Sequence, residues 1–399
     1  MFELAEGRVT FERHTMKNRD GPLELVRGLS ALLVMAGHLR AAILVDYGSL
    51  SAPNLALKAF YFATGLGHQA VMVFFVLSGY FVGGSVLRGL MSGRFSWSDY
   101  AFARLSRLWV VLIPALLLTL GFDLIGNHWH PSAYAGEFYG QFMSGPSAGY
   151  PVDNGFGAFL GNVAFLQTLT VPVYGSNGPL WSLAYEFWYY LLFPLVAVVV
   201  IQVFKARNRA GAHFGLRFVH FLLFAVLVWW LPAGLLFSGL IWLLGVAVWL
   251  LAAMPRVAAL AGNRLYSILL GLTFLGTLAA SKTDSFLGSD MAVGFAFAGW
   301  MLSLRGPWSH SGWWSSLSSG LSEISYTLYV VHFPVLFFIA TVVLNGQQFA
   351  PNGPELALFA GLACLLTAVS GGLWWLFERR TPRVRRWMAQ QLERATSHA

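Results

Sequence analysis

Ten apolar runs, at about 25–45, 68–87, 108–126, 180–204, 218–235, 237–253, 265–280, 290–304, 324–344 and 355–377, decide what this 399-residue chain can become. Runs of this length and number do not fit inside one water-soluble core; about twenty apolar residues are what a helix needs to cross a bilayer. In lipid the backbone must bond within its own segment, so the spans are expected to be helices. The predicted fold class is all-α, a polytopic helical membrane protein with about ten transmembrane helices. Several runs fall short of twenty residues, those near 237–253 and 290–304 being the weakest. A mean hydropathy of +0.63 and only 11% charged residues agree with this class.

The net charge of +8 invites a nucleic-acid reading, but the placement of the basic residues argues against one. With residue 1 inside, the loops after spans 2, 4, 6 and 8 are cytoplasmic. They hold Arg88, Arg94, Arg104 and Arg107, then Lys205, Arg207, Arg209 and Arg217, then Arg256 and Arg264, then Arg305. The tail adds Arg379, Arg380, Arg383, Arg385, Arg386 and Arg394, whereas the opposite loops hold only Lys58 and Lys282. That positive-inside pattern predicts an even number of spans and both termini in the cytoplasm. Residues 1–24 read as a polar, basic tail without a cleavable signal peptide. Residues 25–377 form the membrane domain, with a long extracytoplasmic segment at 127–179, and 378–399 form a basic tail. Within the long segment, FGAFLGNVAFLQTL is too short for a span and suits a re-entrant or interfacial piece.

Metal chemistry is not expected. Cys364 is the single cysteine, His14 and His68 are isolated, and the pair His128 and His130 has no second pair to complete a zinc site. The residues that invite chemistry lie inside the spans. Arg27 and His38 sit eleven residues apart in the first run, three helical turns plus about 20°, so they share one face roughly 16 Å apart along the axis. Ionisable groups are costly in lipid and are usually functional. Arg104 and Arg107, at i and i+3 on the entry to span 3, could clamp a phosphate, or act as plain topological anchors. Ser78-Gly79 in span 2 reads as a packing notch. Glu186, about one and a half turns into span 4, matches the depth of His38 and suits a general base, a structural hydrogen-bonding group or a partner for a cation. Span 9 carries Glu323, Ser325, Tyr326, Tyr329 and His332, a polar stripe in which we read His332 as a structural hydrogen-bonding residue. Trp181, Tyr185 and Trp188 could stack on sugars, but the membrane-interface belt is the favoured reading for most of them.

Taken together, RGLSALLVMAGH, FFVLSGYFV, RLSRLWVVLIP, PLWSLAYEFWYYLLFP and ISYTLYVVHFP resemble the membrane-bound acyltransferase 3 family in order and spacing, from Arg27 to Phe377. The resemblance implies an integral inner-membrane O-acyltransferase of the class that moves groups other than amino-acyl groups. The donor is commonly acetyl-CoA, a substrate rather than a resident cofactor. The acceptor is a hydroxyl on a carbohydrate, glycolipid or other cell-envelope molecule, as in polysaccharide O-acetylation. By that analogy His38 is the catalytic histidine, and Arg27, Arg104 and Arg107 belong to the acyl-CoA or acyl-transfer site. Glu186 would orient the imidazole or hold the acceptor, with Ser78, Tyr326, Tyr329 and His332 in support. Many relatives have proline where Arg379-Arg380 follows Phe377-Glu378 here, so that end receives no role. A second transfer step would need a separate extracytoplasmic protein. A transporter or flippase for a lipid-linked saccharide, or a silent scaffold, are the readings from other classes.

Overall fold

The computed structural model describes residues 21–205, 214–258, 263–283, 285–304 and 313–397. Arg207, Arg209 and Arg305 of the charge pattern lie outside them, as do His14 and residues 1–20 of the expected tail. The longer helices are α1 (Gly21–Ile43), α2 (Leu55–Thr64), α3 (Gly67–Met91), α4 (Trp97–Trp129), α5 (Phe156–Val163), α6 (Trp181–Lys205) and α7 (Phe214–Trp230). They are followed by α8 (Ala233–Leu251), α9 (Arg264–Ala280), α10 (Asp290–Ser303), α11 (Trp313–Phe338), α12 (Gly353–Leu376) and α13 (Thr381–Ser397). Among the described residues β-pairing is confined to isolated bridges.

A helix forms at each of the ten apolar runs, but seven have the length and hydropathy to cross a membrane: α1, α3, α4, α6, α8, α11 and α12. Helices α7 and α9 have 17 residues and α10 has 14. At 1.5 Å per residue these reach about 25 and 21 Å, short of a hydrocarbon layer of about 30 Å. Among the described residues seven crossings are supported by length, and the expected count of ten is not confirmed. Helix α1 starts at Gly21, inside what the sequence assigns to the tail, and Leu23 is fully buried there. The basic tail is itself helical over α13, which packs on α4.

Helix α1 packs on α11, α3 and α12. A helix leaves its last carbonyls unpaired. Here Gln348 Nε2 donates to Ala41 O at 2.8 Å, Gln141 Nε2 to Ala42 O at 2.8 Å, and Phe349 N to Ile43 O at 2.8 Å. Two connecting segments, 127–179 and 345–352, thus pin the last turn of α1 and, with it, His38 just before that turn. Helix α8 meets α3 through two glycines. A Cβ on Gly79 would lie 1.8 Å from Trp242 O, and one on Gly245 would lie 1.9 Å from Val76 O. The Ser78-Gly79 notch is thus a backbone-to-backbone approach of the kind small residues permit.

Two prolines inside helices create acceptors that tie the bundle together. Proline lacks an N–H, so the carbonyl four residues earlier loses its partner. Pro334 in α11 frees Val330 O, which accepts from Asn177 Nδ2 at 2.9 Å. Pro194 in α6 frees Tyr190 O, which accepts from the Tyr100 hydroxyl at 2.9 Å. The 127–179 segment is correspondingly no loose loop: Tyr134, Phe142, Phe165, Tyr174 and Asn177 are all buried. Its apolar piece forms only the eight-residue α5, locked by the buried Asn162, whose side chain bonds Ala158 O, Pro172 O and Tyr174 N.

Candidate active site

Arg27, one and a half turns into α1, directs Nη2 to Ser322 O of α11 at 2.6 Å and leaves its buried Nε without a hydrogen bond. Arg104, near the start of α4, lies over the rings of Tyr100 and Tyr190, 5.8 and 5.9 Å from their centroids. Its Nε is also buried and unbonded. Arg107 follows one turn later on the same cavity wall. The three guanidinium groups line a cavity of about 320 Å³ with Ser78, Ser182, Glu186, Tyr190, Tyr326 and Tyr329. Among the described residues none of the three makes an ion pair within 4.0 Å. A backbone carbonyl holds Arg27 and aromatic rings hold Arg104, with no carboxylate in contact, so most of their donors remain available to an anion.

Glu186 stands in this arginine cavity rather than against His38. Its Oε1 accepts from the Tyr190 hydroxyl at 2.5 Å. Because that proton is committed, the Ser78 hydroxyl donates to Tyr190 at 3.2 Å, and Trp242 Nε1 donates to Ser78 at 3.1 Å. Ser78 is therefore both a notch residue and a link in a directed chain ending on Glu186. Glu378, just past α12, accepts from Thr327 Oγ1 at 2.6 Å, so the residue given no role in the sequence closes on α11 beneath the stripe.

His38 lines a second cavity of about 380 Å³, with Arg40, His68, Ser144, Trp181 and Tyr329. A third, of about 760 Å³, lined by Tyr139, Tyr150, Thr168 and Thr170, shares Met143, Ser144 and Trp181 with it. The nitrogen His38 Nδ1 lies 3.0 Å from His332 Nε2, and His332 Nδ1 lies 2.9 Å from Leu328 O. His332 is 1% exposed. Depth matching pointed to Glu186 as the group beside His38; the side chain bonded to it is His332, 294 residues away in the chain. At the same mouth Arg40 sits 5.2 Å over the Tyr61 ring and 4.0 Å from Asp46. Lys282 donates to Gly65 O, and burial, then the charge of Arg40, lower its amine below the usual lysine range.

The two cavities share Tyr329 and Val71. Tyr329 is held across the junction: its hydroxyl donates to Pro179 O at 2.9 Å and accepts from Ser182 at 2.5 Å. Tyr326, one turn earlier, donates to Leu108 O at 3.0 Å. The stripe expected on span 9 is thus real but divided, with Tyr326 and Tyr329 on the arginine side and His332 behind His38. Glu323 is exposed and takes no part. Trp188 fits neither sequence reading, since it is buried and donates to Phe165 O at 3.0 Å, while Trp181 does open onto the His38 cavity.

Comparison with curated proteins gives no match, and comparison with solved structures gives none either. The family model described as an acyltransferase domain, that of the acyltransferase 3 family, matches residues 21–375. That span contains the arginine cavity, the His38–His332 pair and Tyr329 between them. The chain belongs to the acyltransferase 3 family of membrane acyltransferases.

Proposed function

We propose that this protein is an inner-membrane O-acyltransferase that moves an acyl group, acetyl by default, from cytoplasmic acyl-CoA to a hydroxyl of a carbohydrate or other envelope acceptor. The observation that carries the reading is the junction of two unlike cavities at Tyr329, one lined by three arginines without contacting carboxylates and the other by His38. Acyl-CoA has phosphates at one end and a thioester at the other, joined by a long thin arm. The arginines would take the phosphates by charge-assisted hydrogen bonds, and the arm would lie along α1 past Tyr329. The spacing of Arg27 and His38, roughly 16 Å along the axis, suits such a reach. The acceptor would approach from the mouth lined by Trp181, with its hydroxyl against His38. The imidazole then serves as general base toward that hydroxyl, or as a nucleophile that carries the acyl group for a moment. Burial of the thioester away from bulk water favours transfer over hydrolysis.

The test is transfer of radiolabelled acetyl from acetyl-CoA in inverted membrane vesicles, with wild type beside His38→Ala and Arg104→Ala. The expected result is label in a membrane or glycan fraction with wild type. Arg104→Ala should raise the acyl-CoA KM about 10–100-fold, as loss of one charged hydrogen bond predicts. His38→Ala should lose about a hundredfold or more in kcat. Equal labelling by all three, with the proteins folded and abundant, removes the reading.

A further inference from the structure

We infer that His332 is a positioning residue: it holds the proton of His38 on Nδ1 and thereby makes Nε2 the reacting atom. Only the chemistry assigned to Nε2 rests on the acyl-transfer reading; the proton placement rests on two hydrogen bonds. The first lies between His332 Nδ1 and the carbonyl of Leu328, at 2.9 Å. A carbonyl oxygen only accepts, so Nδ1 of His332 carries a hydrogen. In a neutral imidazole the other nitrogen is then a bare acceptor. A cationic His332 is disfavoured by its place, 1% exposed and bonded to a carbonyl and a second imidazole rather than to a carboxylate, since an unpaired buried charge is expensive.

The second bond fixes His38. With Nε2 of His332 an acceptor, the 3.0 Å contact requires Nδ1 of His38 to donate. The ring geometry agrees. The centroids are 5.2 Å apart and the planes differ by 20°. A centroid distance close to the N···N distance plus two ring radii means that the imidazoles lie end to end and nearly coplanar. The N–H of one therefore points at the in-plane lone pair of the other. Phe333 closes the side of His38 with a ring edge, its centroid 5.1 Å away at 82°. The Nε2 lone pair is the polar group His38 has left for its cavity.

The sequence of proton positions is then Leu328 C=O, His332 Nδ1–H, His332 Nε2, His38 Nδ1–H, His38 Nε2. In the transfer step the acceptor oxygen forms its bond to the acyl carbon while its proton passes to Nε2 of His38. The carbon–sulfur bond breaks, the thiolate leaves with the electron pair, and it takes the proton back from Nε2. His332 keeps its own protons throughout. A neutral partner steadies the transient imidazolium of His38 less than a carboxylate would, which favours prompt return of the proton to sulfur.

The experiment uses full-length protein in detergent, labelled with ¹⁵N-histidine, and reads the long-range ¹H–¹⁵N pattern of His38 beside acetyl-CoA kinetics. Wild-type His38 is expected as the Nδ1–H tautomer. His332→Leu removes the acceptor, so His38 should shift toward Nε2–H, with kcat falling about a hundredfold and the acyl-CoA KM unchanged. His332→Gln offers an amide oxygen to the same N–H and should restore both the tautomer and kcat to within about fivefold of wild type. A purely packing role would make Gln at least as damaging as Leu and would leave the tautomer alone. The inference is overturned by wild-type His38 in the Nε2–H form, or by a folded His332→Leu protein with unchanged kcat. An Nδ1–H tautomer in a protein that transfers no acyl group would uphold the proton placement and remove the proposed reaction instead.

Discussion

Asn177→Ala tests whether the 127–179 segment is anchored by the carbonyl that Pro334 releases. Asn177 is fully buried, and its Nδ2 donates to Val330 O at 2.9 Å and, at 3.4 Å, weakly to Thr119 Oγ1. Truncation leaves a buried carbonyl unsatisfied, which costs about 1–3 kcal/mol. Truncation also removes the buried, unbonded Oδ1 of Asn177, which offsets part of this cost, so about 1–2 kcal/mol is expected. The decisive comparison is a double-mutant cycle with Pro334→Ala. Alanine at 334 supplies the N–H that Val330 O lacks, so the helix then satisfies the carbonyl itself. In that background Asn177→Ala should cost less by about 1 kcal/mol or more, a coupling of the size seen for residues sharing one bond network. The assay is unfolding in mixed micelles of increasing dodecyl sulfate content, followed by tryptophan fluorescence. An equal cost in both backgrounds refutes the reasoning, because the bond to Val330 O would then carry no weight of its own.

Tyr329→Phe keeps the ring between the two cavities and loses the bonds to Pro179 and Ser182; transfer should stay within about tenfold of wild type, one or two neutral hydrogen bonds' worth. Tyr329→Ala joins the cavities, and the ratio of acetyl-CoA hydrolysis to acyl transfer should rise about tenfold or more as water reaches the thioester; an unchanged ratio, measured with limiting acceptor, contradicts its place as the dividing wall. Gly79→Ala puts a Cβ 1.8 Å from Trp242 O and should destabilise by more than about 3 kcal/mol. Gly121→Ala on α4, where a Cβ meets nothing within 4 Å, should be neutral or stabilising by about 0.5–1 kcal/mol; equal expression and melting of the two variants would count against the close approach of α3 and α8.

The parts of this molecule legible in the sequence are those set by one helix at a time. Periodicity places Arg27 and His38 on one face, and hydrophobic run length finds the longer apolar helices but misses the ten-residue α2 (Leu55–Thr64). Contacts between helices are not written in this way. Glu186 and His38 have matching depths, yet depth says nothing of which neighbour a face meets, and Glu186 turned out to face the arginines. His332 was visible as a polar residue at helical spacing, but its bond to His38 depends on α11 packing beside α1. Among the described residues α7, α9 and α10 are apolar like the spans but have only 17, 17 and 14 residues. Trp188 looked like an interfacial aromatic because belts and buried tryptophans use the same residue; its indole N–H found a carbonyl in the 127–179 segment instead. The proline-released carbonyls did carry a sequence signal, since Pro194 and Pro334 each mark an acceptor four residues upstream that some side chain must fill.

The wall at Tyr329 has a bioenergetic consequence. A membrane that stores energy as a proton gradient cannot tolerate a continuous column of water through any of its proteins. Here one phenol ring, bolted at its hydroxyl to Pro179 and Ser182 and flanked by Val71, stands between the arginine cavity and the His38 cavity. On this view the tyrosine acts as electrical insulation, and its loss should be felt first as a leak of current across the bilayer.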